Sequence, residues 1–237
     1  MNTIHPHSAL LGLLLLLLLL LLPSHAVAAP AAGSFEQRCE REMLPSIAVH
    51  AHHPGFVVHN TISGRVLSNR SESISAGQLM MGMTSSHTRA EVSIEGPSLT
   101  ELAGDRECVA PRIEVDLSYQ PLDIYVAREF HPASCAYREV FAHELQHVKI
   151  YADQLPTIER VVREELVKRY GGRPLYAPRG TGLSTLQDQI DSWLPTLIRG
   201  ELAKVETKQN ALDSRLETDR LSHLCQGEVA AMMGSSF

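Results

Sequence analysis

The stretch Phe141-Ala142-His143-Glu144-Leu145-Gln146-His147-Val148 decides how this chain is read. On a helix, residues four apart lie one above the other, so His143 and His147 present both imidazoles to one side. Two neutral imidazoles at that separation are two of the protein ligands of a tetrahedral Zn²⁺ site, which then takes a third ligand and a water. Glu144 stands one residue round the helix, where its carboxylate reaches that metal-bound water rather than the metal. The ion lowers the pKa of the water, and Glu144, as general base, takes its proton during attack on a carbonyl. The neighbouring residues favour a helix. Ala136, Val140, Phe141, Leu145 and Val148 have the apolar spacing of a helix packed in a core, with Pro132 just before it and Ser134 suited to the N-cap. The plainer alternative is a surface helix carrying two solvated histidines.

At the N-terminus, residues 1–28 read as a secretory signal peptide. Leu10 to Leu22 is apolar throughout apart from Gly12, and Ala26-Val27-Ala28 follows as a small-residue cleavage site. A membrane span takes roughly 20 apolar residues. The expectation is therefore an exported chain, periplasmic or secreted, with no stable membrane span after cleavage. Removing 28 of the 237 residues leaves 209, enough for one sizeable core. Residues 29–55 read as a leader with a short helix at Phe35–Met43, and 56–228 as a single domain. The net charge of −6 gives no general attraction for nucleic acid or anionic membrane, and no nucleic-acid partner is expected.

Four cysteines, Cys39, Cys108, Cys135 and Cys225, are an even number in an exported chain and imply two disulfides. Three pairings are open. The one expected here joins Cys108 to Cys135, clamping strands to the motif helix, and Cys39 to Cys225, tying the ends of the domain.

Strands come first along the chain and helices later, the order of an α+β domain. Strands are expected at 56–61, at 88–94 (half-buried), at 112–119 with Ile113, Val115 and Leu117 on one face, and at 122–127 with Ile124 and Val126. Gln120-Pro121 between the last two suggests a tight turn and an antiparallel pair. His50, His52 and His53 cluster beside Pro54-Gly55 and read as solvated loop residues. The motif helix is expected to end near Pro156, a second to run over 157–170, and 172–182 to be a loop. Ser184 with Gln187 looks like a capping box, opening a long helical region to about Leu224 with a kink at Pro195.

The third metal ligand has two candidate placements. Asp153 lies ten residues after His143, but Ile150 stands where a sharp turn out of the helix needs glycine, so Asp153 points away. On the late helix, Leu202, Val205, Leu212 and Leu216 mark a buried face. Asp213 lies nearest its edge and is the expected ligand. Glu206 is the alternative, as ligand or as a group orienting one histidine. Gln209 falls near the centre of the stripe and needs a partner if buried. Tyr176 and Tyr151 are candidates for stabilising an oxyanion.

The chain resembles a family of exported bacterial proteins described as zinc-dependent proteases. The resemblance lies in Cys108, the strands through Tyr119 and Tyr125, Arg128-Glu129-Phe130, Cys135 and His143-Glu144-Leu145-Gln146-His147-Val148, within roughly residues 56–220. It implies a metallopeptidase fold with a later acidic segment, here Gln209-Asn210-Ala211-Leu212-Asp213. In that family a Tyr precedes the Asp, and Thr and His follow; this chain has Leu212 before it and Leu216 and Thr218 after. Taken together, the expectation is an α+β, zincin-like domain binding one Zn²⁺ and hydrolysing a peptide or protein substrate. A non-catalytic envelope scaffold and a cell-wall amide hydrolase are the alternatives.

Overall fold

Alternation of apolar residues in Arg112–Tyr119 builds the central strand, β7, with Ile113, Val115, Leu117 and Tyr119 buried on one face. A computed structural model describes residues 33–53, 55–70 and 79–234, the side chains of 232–234 excepted. The expected signal peptide, residues 1–28, lies outside them. In chain order the elements are α1 (Phe35–Glu42), β1 (Ser46–His52), β2 (Phe56–His59), α2 (Gly64–Ser68), β3 (Gly82–Ser85) and β4 (Thr88–Glu95). They continue with β5 (Ser98–Thr100), β6 (Arg106–Val109), β7, β8 (Leu122–Val126), α3 (Cys135–Tyr170) and β9 (Leu175–Pro178). The chain then runs through α4 (Gly182–Asp191), α5 (Leu194–Leu212), α6 (Arg215–His223), a 3-10 turn (Cys225–Gly227) and α7 (Glu228–Gly234). This is an α+β fold with strands early and a long helical C-terminal half.

Among the described residues the strands form three sheets, ordered β1-β7-β4, β2-β8-β3 and β5-β6-β9. β7 and β8 do not form the antiparallel pair expected across Gln120-Pro121. Instead each sits between its own pair of strands, in the same arrangement. β1 and β2 lie parallel to them at a constant offset of 66 residues (Ser46↔Arg112, Phe56↔Leu122), while β4 and β3 run antiparallel on the other side. Gln120 N donates to His87 O and Leu122 N to Gly55 O, so pairing persists on each side of Pro121. Pro121 has no N–H to give, and it interrupts the ladder without reversing the chain. The buried phase accordingly slips by one residue, from Tyr119 to Leu122, Ile124 and Val126. β4 is mostly exposed rather than half-buried.

Residues 35–55, read from sequence as leader and short helix, belong to the folded unit Phe35–Phe237. β1 is a full member of the sheet, which puts His50 and His52 on a strand rather than in a loop.

The motif helix does not stop at Pro156. α3 runs 36 residues through it, because Tyr151, Leu155, Ile158, Val162, Leu166 and Tyr170 extend one buried stripe past the proline. Burial of that stripe outweighs the lost hydrogen bond and the ring clash. α3 packs on β1, β8 and β3 and on α5. The late helical region is broken twice, at 192–193 and at 213–214. Pro195 sits in the first turn of α5, where it is tolerated, so it marks a start rather than a kink. Segment 172–182 contains β9, paired with β6. α4 starts at Gly182 and not at a Ser184 capping box; Gly182 N donates to the buried Glu107 carboxylate at 2.6 Å.

The disulfides are Cys39–Cys108 and Cys135–Cys225, which replaces the expected pairing. Cys108 lies on β6, beneath α1, whereas Cys135 opens α3 beside the returning C-terminal segment. Nearness along the chain between Cys108 and Cys135 did not mean nearness in space.

Candidate metal centre

His143, Glu144 and His147 all lie on the core-facing stripe of α3, and each is at least nine-tenths buried. Opposite them, α5 buries Leu194, Ile198, Glu201, Val205 and Gln209, a helical stripe that ends with Gln209 against His147. The helix stops at Leu212. Asp213 is its C-cap, so its side chain is set by a turn rather than by the helix face from which the sequence placed it. That turn returns Asp213 to the histidines. Leu216, expected on the buried stripe, is 84% exposed because it lies beyond the break.

Asp213 Oδ1 lies 3.0 Å from His143 Nε2 and 2.9 Å from His147 Nε2, and the two Nε2 atoms are 3.2 Å apart. The other ring nitrogens fix the tautomers. His147 Nδ1 faces Gln209 Oε1 at 2.6 Å, and Gln209 Nε2 donates to His147 O at 3.1 Å, so the amide is oriented and Nδ1 is the donor. His143 Nδ1 faces the Glu217 carboxylate at 3.2 Å and must donate to it. In the neutral rings both Nε2 atoms therefore offer lone pairs, and they converge with a carboxylate oxygen. Three acceptors this close need a cation or added protons between them. Ligands at about 2.0–2.1 Å from a tetrahedral Zn²⁺ stand roughly 3.3 Å apart, close to the separations found here. The group His143, His147 and Asp213 could hold a metal ion.

The charge balance agrees. Burial acts to lower both histidine pKa values, but the hydrogen bonds with Asp213 and the charge of Glu144 outweigh it, so both lie above the ordinary value. Burial acts to raise Asp213, yet its bonds to the two imidazoles hold it well below the carboxylate range. Glu144 is raised, mainly by burial. Thr84 Oγ1, on β3, donates to Glu144 Oε2 at 2.8 Å. β3 comes close at this point: a Cβ on Gly82 would stand 2.5 Å from Glu144 Oε1 and 2.8 Å from Val140 Cγ1, so a side chain there would displace the carboxylate.

The site opens on a cavity of about 530 Å³. Leu79, Met80, Met81 and Met83 line it on the β3 side, and Glu206, Gln209 and Asn210 on the α5 side. Glu206 is not one of the converging ligands and does not orient a histidine; the Tyr151 hydroxyl donates to it at 3.4 Å. Tyr151 lines the cavity. Tyr176 does not: it lies on β9 against Phe35, so only Tyr151 remains as a candidate oxyanion stabiliser. Asp153 pairs with Lys149 on the outer surface of α3, away from the site.

Sequence reasoning missed Thr84 and Glu217. Glu217 had a signal: Ser214-Arg215-Leu216-Glu217 is an S-x-x-E start, and Ser214 Oγ accepts from Glu217 N at 3.3 Å. The Glu217 side chain turns to His143 and Arg220 instead of completing a capping box. Thr84 had none, since nothing local marks a strand hydroxyl as the partner of a distant carboxylate. No protein-family model, curated protein or solved structure matches the chain, so the reading of this centre rests on its geometry.

Proposed function

We propose that the chain is an exported, zinc-dependent metallohydrolase with a zincin-like site, cleaving a peptide or amide bond. The observation that carries the reading is the pair of oriented imidazoles. Gln209 and Glu217 occupy both Nδ1–H groups, which leaves both Nε2 lone pairs aimed at one point beside Asp213 Oδ1. A bound divalent ion would supply Lewis acidity for activating water and polarising a carbonyl. His143, His147 and Asp213 would hold it. Glu144 is placed to accept the proton of the attacking water and return it to the leaving amine. Its burial favours that role by lifting its pKa towards working pH. Thr84 fixes one carboxylate oxygen and Gly82 lets β3 approach it. Two disulfides are consistent with an exported protein, and no helix among the described residues is long and apolar enough to cross a membrane.

The test compares parent protein and Glu144→Gln for zinc content and for turnover of a mixed peptide pool. Both should hold one zinc per chain, and only the parent should cleave. Full activity in Glu144→Gln would remove Glu144 as the base. Metal without turnover in the parent would favour a binding protein over an enzyme.

A further inference from the structure

The segment that completes the candidate centre is fastened at its far end. After the turn at Asp213 the chain passes through α6 and the 3-10 turn into α7. α6 itself is thinly packed, with Leu221 its only buried residue. Its inward contacts include Glu217 on His143 and Thr218 and Leu221 in the cavity wall. Firmer attachments follow. Cys225 is bonded to Cys135, the first residue of α3 and two turns before His143. Glu228 Oε2 accepts a hydrogen bond from Ala136 N at 3.2 Å, on the same helix end. Val229 is fully buried. Residues 214–229 thus form a strap that leaves the site beside His143 and is tied back to the helix carrying both imidazoles. The other disulfide, Cys39–Cys108, joins α1 to β6 and takes no part in this arrangement.

We infer that the Cys135–Cys225 bond positions the metal centre, and that its oxidation state sets metal affinity. With the bond formed, the strap holds Asp213 and Glu217 against the histidines. With the bond broken, its attachment falls mainly to buried Leu221 and Val229 and the Glu217 and Glu228 carboxylate contacts, and a segment with so few buried groups opens locally. A dithiol supplies the two electrons and two protons; the S–S bond breaks to two thiols and the dithiol closes to a disulfide. A chain in a reducing compartment is therefore metal-poor, and it loads metal once the disulfide forms. This inference rests on the metal-centre reading above.

The experiment uses the full chain, with zinc affinity measured by competition against a chromogenic chelator and strap opening measured by amide hydrogen exchange over 215–223. Cys135→Ser/Cys225→Ser should lose at least about 10-fold in zinc affinity, the scale seen when groups supporting a ligand are removed, and should lose exchange protection in α6. Cys39→Ser/Cys108→Ser should keep the parent's affinity. Glu228→Ala, which loosens the same anchorage with both disulfides intact, should shift affinity in the same direction and serves if the double variant does not fold. Parent-like affinity in Cys135→Ser/Cys225→Ser, or equal losses in the two double variants, overturns the inference. If the parent holds no zinc, the metal-centre reading fails. Exchange still decides the strap, because protection of 215–223 that survives the substitutions overturns it.

Discussion

Each histidine of the centre does two jobs at the atomic scale, and the two can be separated by substitution. Removing Asp213 takes away a converging oxygen, whereas removing Gln209 or Glu217 only frees a ring to rotate or change tautomer. Asp213→Ala should therefore lower zinc affinity by orders of magnitude, and Gln209→Ala or Glu217→Ala by about 10–100-fold, in a chelator competition. Equal losses in all three would mean the ring partners are not secondary. pH offers a metal-free check. The raised pKa values of His143 and His147 mean the folded protein holds those protons more tightly than the unfolded chain does. That stability is complete below the ordinary histidine value of 6.5 and fades as pH climbs through the raised values. Glu144, raised by burial, acts in the same direction, since its buried charge costs more as pH rises. Asp213 acts oppositely, with a contribution lost only as pH falls below the carboxylate range, and its side chain is 56% exposed, so solvent weakens it. Chelator-treated protein should thus melt at a lower temperature at pH 8 than at pH 6, and saturating zinc should reverse that order, because metal and protons compete for the same Nε2 atoms. A metal-free melting temperature that rises from pH 6 to pH 8 would contradict this.

Among the elements, α3 shows what a sequence does and does not announce. Its motif face was legible, because apolar spacing at 136, 140 and 148 brackets His143 and His147 in one stripe. Its length was not, because Pro156 is a local stop signal that only tertiary burial overrules. Pro156 is exposed and sits inside a continuous helix. Pro156→Ala should restore the hydrogen bond to Ala152 O and raise stability by about 1–3 kcal/mol in chemical denaturation, with zinc affinity unchanged. A loss of stability would mean the helix needs its proline. The late helix failed in the opposite way. Its pattern was extended through Leu216, whereas Ser214 and Glu217 carry the start of a new helix, and the break between them and Leu212 is what directs Asp213 to the site. Asp213 thus joins the two histidines from a turn, not from the helix face on which the apolar pattern puts it.

In the molecule as a whole, order along the chain was legible and long-range pairing was not. Strands before helices gave the α+β class, but local turn chemistry at Gln120-Pro121 resembles that of a hairpin and cannot reveal that β1 and β2 run alongside. Disulfide connectivity is likewise a property of the folded state: the bonds span separations of 69 and 90, whereas the expected pairing closes one shorter loop and one longer. The fold brings together residues from three distant segments, with Thr84 on β3, His143, Glu144 and His147 on α3, and Gln209, Asp213 and Glu217 around the end of α5. On the proposed function, this convergence holds one metal ion. Its most direct test is an anomalous difference map at the zinc absorption edge, from crystals of the oxidised protein grown with stoichiometric zinc. One peak per chain is expected, within about 2.0–2.3 Å of His143 Nε2, His147 Nε2 and an Asp213 carboxylate oxygen. A map with no peak there, or with zinc bound only elsewhere, would contradict it.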